Sequence, residues 1–304
     1  MNEITREYYL EFIKANSSVA IGDMKIKLQN NWKIEQLGPP ENYLPERNTV
    51  WSFPERGNWA THKGDYRGNW SPYIPRNLIL KYSDVGDWVL DQMVGGGTTL
   101  VEAKLLGRNA IGVDINLDAV MVTRDRLNFS LAEPSITNEP IIKTYCGDAR
   151  NLDKISNESI DLIATHPPYA GIISYTMKNR VEGDLSLLPL DEYLNEMKKV
   201  ANESFRVLKS GKYCAVLVGD TRKRKHYVPI AYMVMQTFLN AGFLLKEDII
   251  KVQWNMKTTR ERWSSAKYDF YLINHEHVFV FRKPMDKKEY KEYKHSSKWG
   301  YGQI

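Results

Sequence analysis

"VLDQMVGGGTTL", residues 89–100, decides how the rest of the chain is read. Val89 and Leu90 lead an apolar strand to Asp91, Gly95 to Gly97 make a tight turn, and Thr98 opens a helix that runs to Leu106 and stops at Gly107. A strand, a glycine turn and a helix in that order gather unpaired backbone N–H groups and the positive end of a helix dipole at one spot, where a ligand can approach the backbone closely. Asp114 ends the following strand, "NAIGVDI", 19 positions after Gly95, where an acid commonly holds a pair of ribose hydroxyls. Taken alone, the turn fits dinucleotide enzymes, nucleoside-cofactor enzymes and ordinary tight turns.

The pattern continues downstream. A helix runs to about residue 128, "IIKTYCGD" brings a third strand to Asp148, and "SIDLIAT" brings a fourth to Thr165. Helices over 191–208 and 229–240 flank the strand "YCAVLVGD", and "FLLKEDIIKVQW" and "EHVFVFRK" close the series with no helix between them. Short apolar strands alternating with helices predict an α/β fold with a mostly parallel, doubly wound sheet. The last two strands are expected to pair antiparallel at one edge. In such sheets ligands lie outside the carboxyl ends of the strands, so a nucleoside across strands one to three would meet Asp91, Gly95, Gly97, Thr98, Thr99, Asp114 and Asp148 together. Asp148 is read as an acceptor for an adenine amino group, a helix or turn cap being the alternative.

The fourth strand runs into "THPPYAG", residues 165–171. Strands one and four become neighbours where the chain reverses direction, so this segment should stand beside the glycine turn. Pro167 and Pro168 bring carbonyl oxygens without N–H groups, a neutral His166 adds an acceptor nitrogen, and Tyr169 offers a flat ring for stacking. An acceptor-lined slot with a stacking platform suits a planar substrate bearing an amino group. A Pro-Pro turn with a surface tyrosine is the bland alternative.

These two stretches carry a family resemblance. "VLDQMVGGGTT" resembles the D-P-F-x-G-x-G-T-T cofactor motif, and "THPPY" the D/N/S-P-P-Y/F/W catalytic motif, of S-adenosylmethionine-dependent DNA amino-methyltransferases. The lead-in "WSPYIPRNLILKYSDVGDWVLD" and the closing "HEHVFVFRK" are also similar to theirs, so the likeness runs over roughly residues 70 to 283. It implies a seven-stranded class I methyltransferase sheet, Rossmann-like, that binds S-adenosyl-L-methionine and methylates adenine N6 or cytosine N4 of a base flipped out of double-stranded DNA. His166, Pro167, Pro168 and Tyr169 would be the catalytic segment. The sequence departs from the pattern at Gln92, Met93 and His166. Since Asp or Asn lean toward adenine enzymes and Ser toward cytosine enzymes, His166 leaves the base open, with adenine favoured slightly. As a neutral acceptor, His166 predicts activity that falls as pH drops through ~6.5.

The remaining sequence is expected to serve nucleic acid. The chain has 304 residues, 42 Lys plus Arg against 37 Asp plus Glu, and a net charge of +5, a mild bias toward polyanions. "TRKRKH" follows the fifth strand on the expected site edge, placing Arg222, Lys223, Arg224 and Lys225 for phosphate contacts, and a late insertion adds Trp254, Arg260, Arg262, Trp263 and Lys267. Residues 1–77, irregular beyond a short helix over 4–14 and rich in tryptophan (Trp32, Trp51, Trp59, Trp70), form an extension that packs over or contacts DNA, with His62, Lys63 and Arg67 as further candidates. The catalytic domain is read as 78–284 and the charged tail 285–304 as a solvated end. Two cysteines, an N-terminus without a signal-type apolar core and no apolar run near 18 residues suit a cytoplasmic enzyme with neither a metal site nor a membrane span. A cognate restriction endonuclease would be its natural companion. RNA or protein amino-methyltransferases, a nicotinamide dehydrogenase and an inactive nucleic-acid-binding module stay open as alternatives.

Overall fold

The computed structural model describes residues 1–29, 31–131, 139–169, 181–254 and 269–297. The N-terminal part holds β1 (Asn2–Glu3), α1 (Arg6–Ala15), the ribbon β2 (Ser18–Ile21) and β3 (Met24–Lys27), then β4 (Val50–Ser52) and α2 (Tyr73–Tyr82). The alternation follows as β5 (Trp88–Asp91), α3 (Thr98–Leu105), β6 (Asn109–Asp114), α4 (Leu117–Leu127), β7 (Ile142–Cys146), β8 (Ile160–Thr165), α5 (Leu190–Val207) and β9 (Leu208–Gly219). A small ribbon, β10 (Thr221–Lys223) and β11 (His226–Val228), precedes α6 (Ile230–Asn240), β12 (Leu244–Val252), β13 (His275–Arg282) and α7 (Lys287–Glu292).

Local sequence explains the principal elements. Every residue of β8 is buried, because a central parallel strand is covered on both faces and therefore reads as a continuous apolar run. In α5 the buried Tyr193, Met197, Val200, Ala201, Ser204 and Val207 follow helical spacing, and Asp191 and Glu192 complement the dipole in its first turn. Gly97 caps α3 in a left-handed conformation, φ +79°; a Cβ there would lie 3.0–3.1 Å from Thr123, including its Cα.

The main sheet runs β1-β7-β6-β5-β8-β9-β13-β12-β4. Strands β7, β6, β5, β8 and β9 are parallel, and β13 inserts antiparallel between β9 and β12. The central seven strands form the doubly wound class I methyltransferase sheet, with its direction switch between β5 and β8. Two further strands make nine: β1 pairs antiparallel with β7 and β4 pairs parallel with β12, so β12 is not an edge. The N-terminal segment thus contributes strands to both sheet edges.

Its tryptophans are packed rather than displayed. Trp51, Trp59 and Trp70 are 3–5% exposed. Trp59 Nε1 donates to Glu102 at 2.7 Å and Trp32 Nε1 to the Asp125 carbonyl at 2.8 Å. The tail is largely exposed in its described part, as a solvated end would be, but it carries the short helix α7: Arg282 Nε donates to Glu289 at 2.7 Å, and Asp286 caps the helix. "TRKRKH" folds into the β10–β11 ribbon. Among the described residues no helix is long and apolar enough to cross a membrane, and no group of three His, Cys, Asp or Glu is set to hold a metal ion.

Candidate active site

The ends of β5, β6 and β7 open onto a cleft of about 840 Å³ counted to its mouth, lined by Asp91, Gly95, Gly96, Asp114, Asp148 and Asp184 among others. Asp91 is locked from three sides: Thr99 Oγ1 donates to one carboxylate oxygen at 2.5 Å, while Thr165 Oγ1 and the Met93 amide donate to the other at 2.9 and 3.2 Å. Burial pushes its carboxyl up to about 6 against those donors. Asp114 accepts from the amides of Gly95 and Asn116, both at 2.9 Å, and burial likewise raises it to about 6. Its carboxylate ties the glycine turn to the end of β6.

The sequence-derived cofactor set therefore divides. Asp91, Gly95, Asp114 and Asp148 line the cleft, whereas Gly97, Thr98 and Thr99 stand behind its wall. Thr99 acts through Asp91, and Thr98 is hydrogen-bonded to the Asn69 side chain at 2.5 Å. Asp148 differs from an acid waiting for an amine: Arg150 donates to both of its oxygens at 2.6–2.9 Å. Tyr66, Asn69 and Asp184 also reach the cleft. Their approach from distant segments left no local motif to read.

Beyond the switch point a second, larger cavity opens, about 2340 Å³ counted with the open space at its mouth, and His166, Trp70, Asn69 and Gly68 belong to the walls of both. Pro168 lines the first cavity; Pro167 and Tyr169 line the second. The His166 ring stacks on Trp70, centroids 5.9 Å apart at 29°. Burial lowers His166 to about 4, Lys251 assisting and Glu276 and the Gly68 backbone opposing, so the ring is neutral across the physiological range. The fall in activity near ~6.5 expected from an ordinary histidine moves well below that value. Tyr169 and His166 are joined, hydroxyl to Nε2, at 2.8 Å.

The second cavity takes Arg222, Arg224 and Lys225 from the β10–β11 ribbon, with Arg56 and Lys251, against Asp220 and Glu276. Arg222 is anchored by a bond to the Tyr271 carbonyl at 2.8 Å and lies over the Phe270 ring. Lys223 is exposed and stands outside the lining set. Arg260, Arg262, Trp263 and Lys267, and the segment directly after Tyr169, lie outside the described residues; Trp254 lines the cavity. His62 serves the fold instead, buried against Glu102 at 2.7 Å.

A class I methyltransferase sheet with an acidic cleft over β5 to β7 and a His-Pro-Pro-Tyr segment at its switch point defines the kind of protein this is. A family model for DNA methylases of the N6/N4 type matches residues 4–125 and 160–301, and the chain belongs to that family. A model of an RMKL-like methyltransferase domain matches residues 79–214. The chain is 36% identical over 164 residues to a tRNA (guanine(10)-N2)-dimethyltransferase of Methanothermobacter thermautotrophicus, covering 52% of this chain and 46% of the relative. It is 29% identical over 130 residues to the type II methyltransferase M.MthZI of Methanothermobacter thermautotrophicus, covering 42% and 32%. It thus spans less than half the length of either. A SAM-dependent methyltransferase structure from Methanosarcina mazei superposes with a TM-score of 0.48 at 14% identity, over 69% of this chain and 98% of that one.

The cofactor of this family is S-adenosylmethionine, and the cleft fits it. Asp114 offers a carboxylate at the place for ribose hydroxyls, and Gly95 and Gly96 bring bare backbone to the lining beside Tyr66, where a Cβ would meet Tyr66 at 3.2 Å and Arg126 at 2.3 Å. Four aspartates line the cleft, Asp148 already paired with Arg150, and no lysine or arginine is among its described lining residues, so Asp91, Asp114 and Asp184 leave it acidic. That charge attracts a sulfonium and an ammonium and repels a pyrophosphate, which disfavours a nicotinamide dinucleotide.

Proposed function

We propose that the protein methylates the exocyclic amino group of a base in double-stranded DNA, adenine N6 in preference to cytosine N4, with S-adenosylmethionine as methyl donor. The observation that carries this reading is the junction of two cavities of opposite charge at His166, Pro167, Pro168 and Tyr169. A cationic cofactor and a polyanionic substrate are each met by complementary walls, and the segment with acceptors and no Pro N–H lies where they meet.

When bound, S-adenosylmethionine supplies an electrophilic methyl group on sulfur. Tyr169 stacks the extruded base, and the Pro167 carbonyl with His166 accepts the hydrogens of its amino group, turning the nitrogen lone pair toward the cleft. An amine held in this way would direct its lone pair at that methyl, the C–S electron pair leaving with sulfur, and these acceptors would take up the one proton that the methylated amine must lose. The Arg222, Arg224 and Lys225 side chains hold phosphates outside the pocket.

A second reading, methylation of guanine N2 in RNA, is favoured by the 36% identity to the tRNA enzyme. Incubation with labelled S-adenosylmethionine, unmodified duplex DNA and unmodified tRNA, followed by mass spectrometry of the nucleosides, separates the two. N6-methyladenine or N4-methylcytosine in DNA is the expected product; label confined to N2-methylguanine in RNA overturns the DNA assignment.

A further inference from the structure

The His-Pro-Pro-Tyr segment is wired to a pair of charges on two other strands. Tyr169 donates its hydroxyl hydrogen to Glu276 Oε1 at 2.8 Å, and Lys251 Nζ donates to Glu276 Oε2 at 2.8 Å. Lys251 on β12 and Glu276 on β13 are directly paired in register. Their side chains are 17% and 8% exposed, so the pair lies inside the second cavity rather than on a solvated rim. A buried ion pair is seldom more stabilising than apolar side chains of the same shape. Its position next to the motif gives it another use.

A phenol has one proton. Hydrogen bonds to an ionised acceptor are roughly twice as strong as neutral ones, so between the Glu276 carboxylate and a neutral imidazole nitrogen the Tyr169 proton stays on Glu276. Burial would raise the Glu276 carboxyl, but the Lys251 charge and the bonds from Lys251 and Tyr169 act against it, and the group is held below its usual range. The Tyr169 oxygen then presents lone pairs to His166 Nε2 at 2.8 Å. The Gly68 backbone raises His166, the sense of a contact in which the ring donates, and so competes for the ring's single hydrogen. A chain of bonds running from Lys251 through Glu276 and Tyr169 polarises each member in turn, which favours the hydrogen on Nε2.

We propose that Glu276 and Lys251 are positioning residues of the methyl-transfer site, acting through Tyr169 to hold His166 as its Nε2–H tautomer and leave Nδ1 as the acceptor nitrogen. The first position of the resembled motif carries an oxygen acceptor, which accepts in any state of ionisation; an imidazole accepts only through its unprotonated nitrogen. Histidine at position 166 therefore needs a partner that fixes the tautomer. The catalytic consequence rests on the proposed methyl transfer, whereas the tautomer does not.

The test is a long-range proton–nitrogen NMR spectrum of the full chain labelled with ¹⁵N-histidine, the His166 signals being assigned by their loss in His166→Gln. At pH 7 the wild type should show a neutral ring with its hydrogen on Nε2. Glu276→Gln should move population to the Nδ1–H form, Tyr169→Phe should do the same, and the double variant should add nothing further. With the substrate found above, Glu276→Gln should lower kcat by about a hundredfold, within the range of a lost acid–base contribution, and leave KM for S-adenosylmethionine within about twofold. An Nδ1–H ring in the wild type, or a spectrum unchanged in both variants, overturns the proposal. If Glu276→Gln fails to fold, Tyr169→Phe, which keeps the ring, decides alone. A tautomer that shifts as stated in a protein that methylates no nucleic acid supports the positioning geometry and overturns the proposed function.

Discussion

The two cavities on the carboxyl edge of the sheet are built from the same alternation yet end in opposite chemistry. The cleft over β5 to β7 is walled by four aspartates and a glycine turn, and its polar groups are tied to one another by short bonds. The cavity over β9, β12 and β13 is nearly three times larger and carries five arginines and lysines against two acids. A fixed, small cofactor can be met by a pre-formed acidic wall, while a long polyanion needs spread cations and room. His166 and Trp70 belong to both. The sharpest ways to break the comparison act at that seam, and weaker ones act on each side.

The largest effect is expected from Tyr169→Ala. It removes a stacking face, worth about 1–3 kcal/mol for a base, together with the link between His166 and Glu276. Methyl transfer should fall by about a thousandfold, while the Kd for S-adenosylmethionine, measured by calorimetry, stays within about threefold. An equal loss of cofactor affinity would mean that the two cavities are one site. Next is Asp114→Asn, which should weaken S-adenosylmethionine binding by about 10- to 100-fold, the cost of a charge-assisted pair of bonds, without changing nucleic-acid affinity. Because Asp114 is raised to about 6 and its carboxylate form is the one that accepts, wild-type cofactor affinity should decline as pH drops below 6. The Asn variant should show a shallower slope, the remainder coming from Asp91, which is also raised to about 6. Binding that is flat from pH 7 to 5 in the wild type would remove Asp114 from the ribose contact.

Much of this contrast was legible in the sequence, and the parts that were not have physical reasons. Asp91, Asp114 and the His-Pro-Pro-Tyr segment each close a short apolar strand and Gly95 sits in the turn after the first, so strand pattern and turn chemistry place them on one edge. The strands β1 and β4 have two and three residues, too few for any period to show, and their pairing depends on distant partners. Tryptophan in a turn-rich segment reads equally as packing or as contact, and burial of Trp51, Trp59 and Trp70 decides for packing. The Lys251–Glu276 pair spans two strands with an insertion between them; the visible signal was a glutamate within the apolar run of β13, which the closing-strand reading passed over. Thr99 matched a cofactor motif but acts by holding Asp91, a distinction that spacing does not contain.

On the acidic side, Gly97→Ala tests the frame rather than the chemistry. The added methyl would sit 3.0–3.1 Å from Thr123 on a backbone at φ +79°. A left-handed residue costs about 1–2 kcal/mol for a non-glycine, and the crowding against Thr123 adds to it, so thermal unfolding should show a loss of about 2 kcal/mol. Cofactor affinity at low temperature should change less than for Asp114→Asn, since Gly97 is outside the cleft wall. The reverse order would bring Gly97 back into the binding surface.

The smallest effect separates stability from recognition on the basic side. The β10–β11 ribbon turns through Arg224 and Lys225, both left-handed at φ +49° and +73°, positions that in a two-residue hairpin ordinarily hold Asn and Gly. Strain of this kind persists where the side chains have another task, and both line the basic cavity. Replacing the pair, Arg224→Asn with Lys225→Gly, should therefore stabilise the fold by about 1 kcal/mol. The same change should weaken DNA binding several-fold and lower the slope of log affinity against log salt by about one for each phosphate that is no longer neutralised. A steeper loss in methyl transfer than in binding would move these side chains from the phosphates to the base. An unchanged salt slope alongside the gain in stability would make the ribbon a fold element whose charge has no nucleic-acid role.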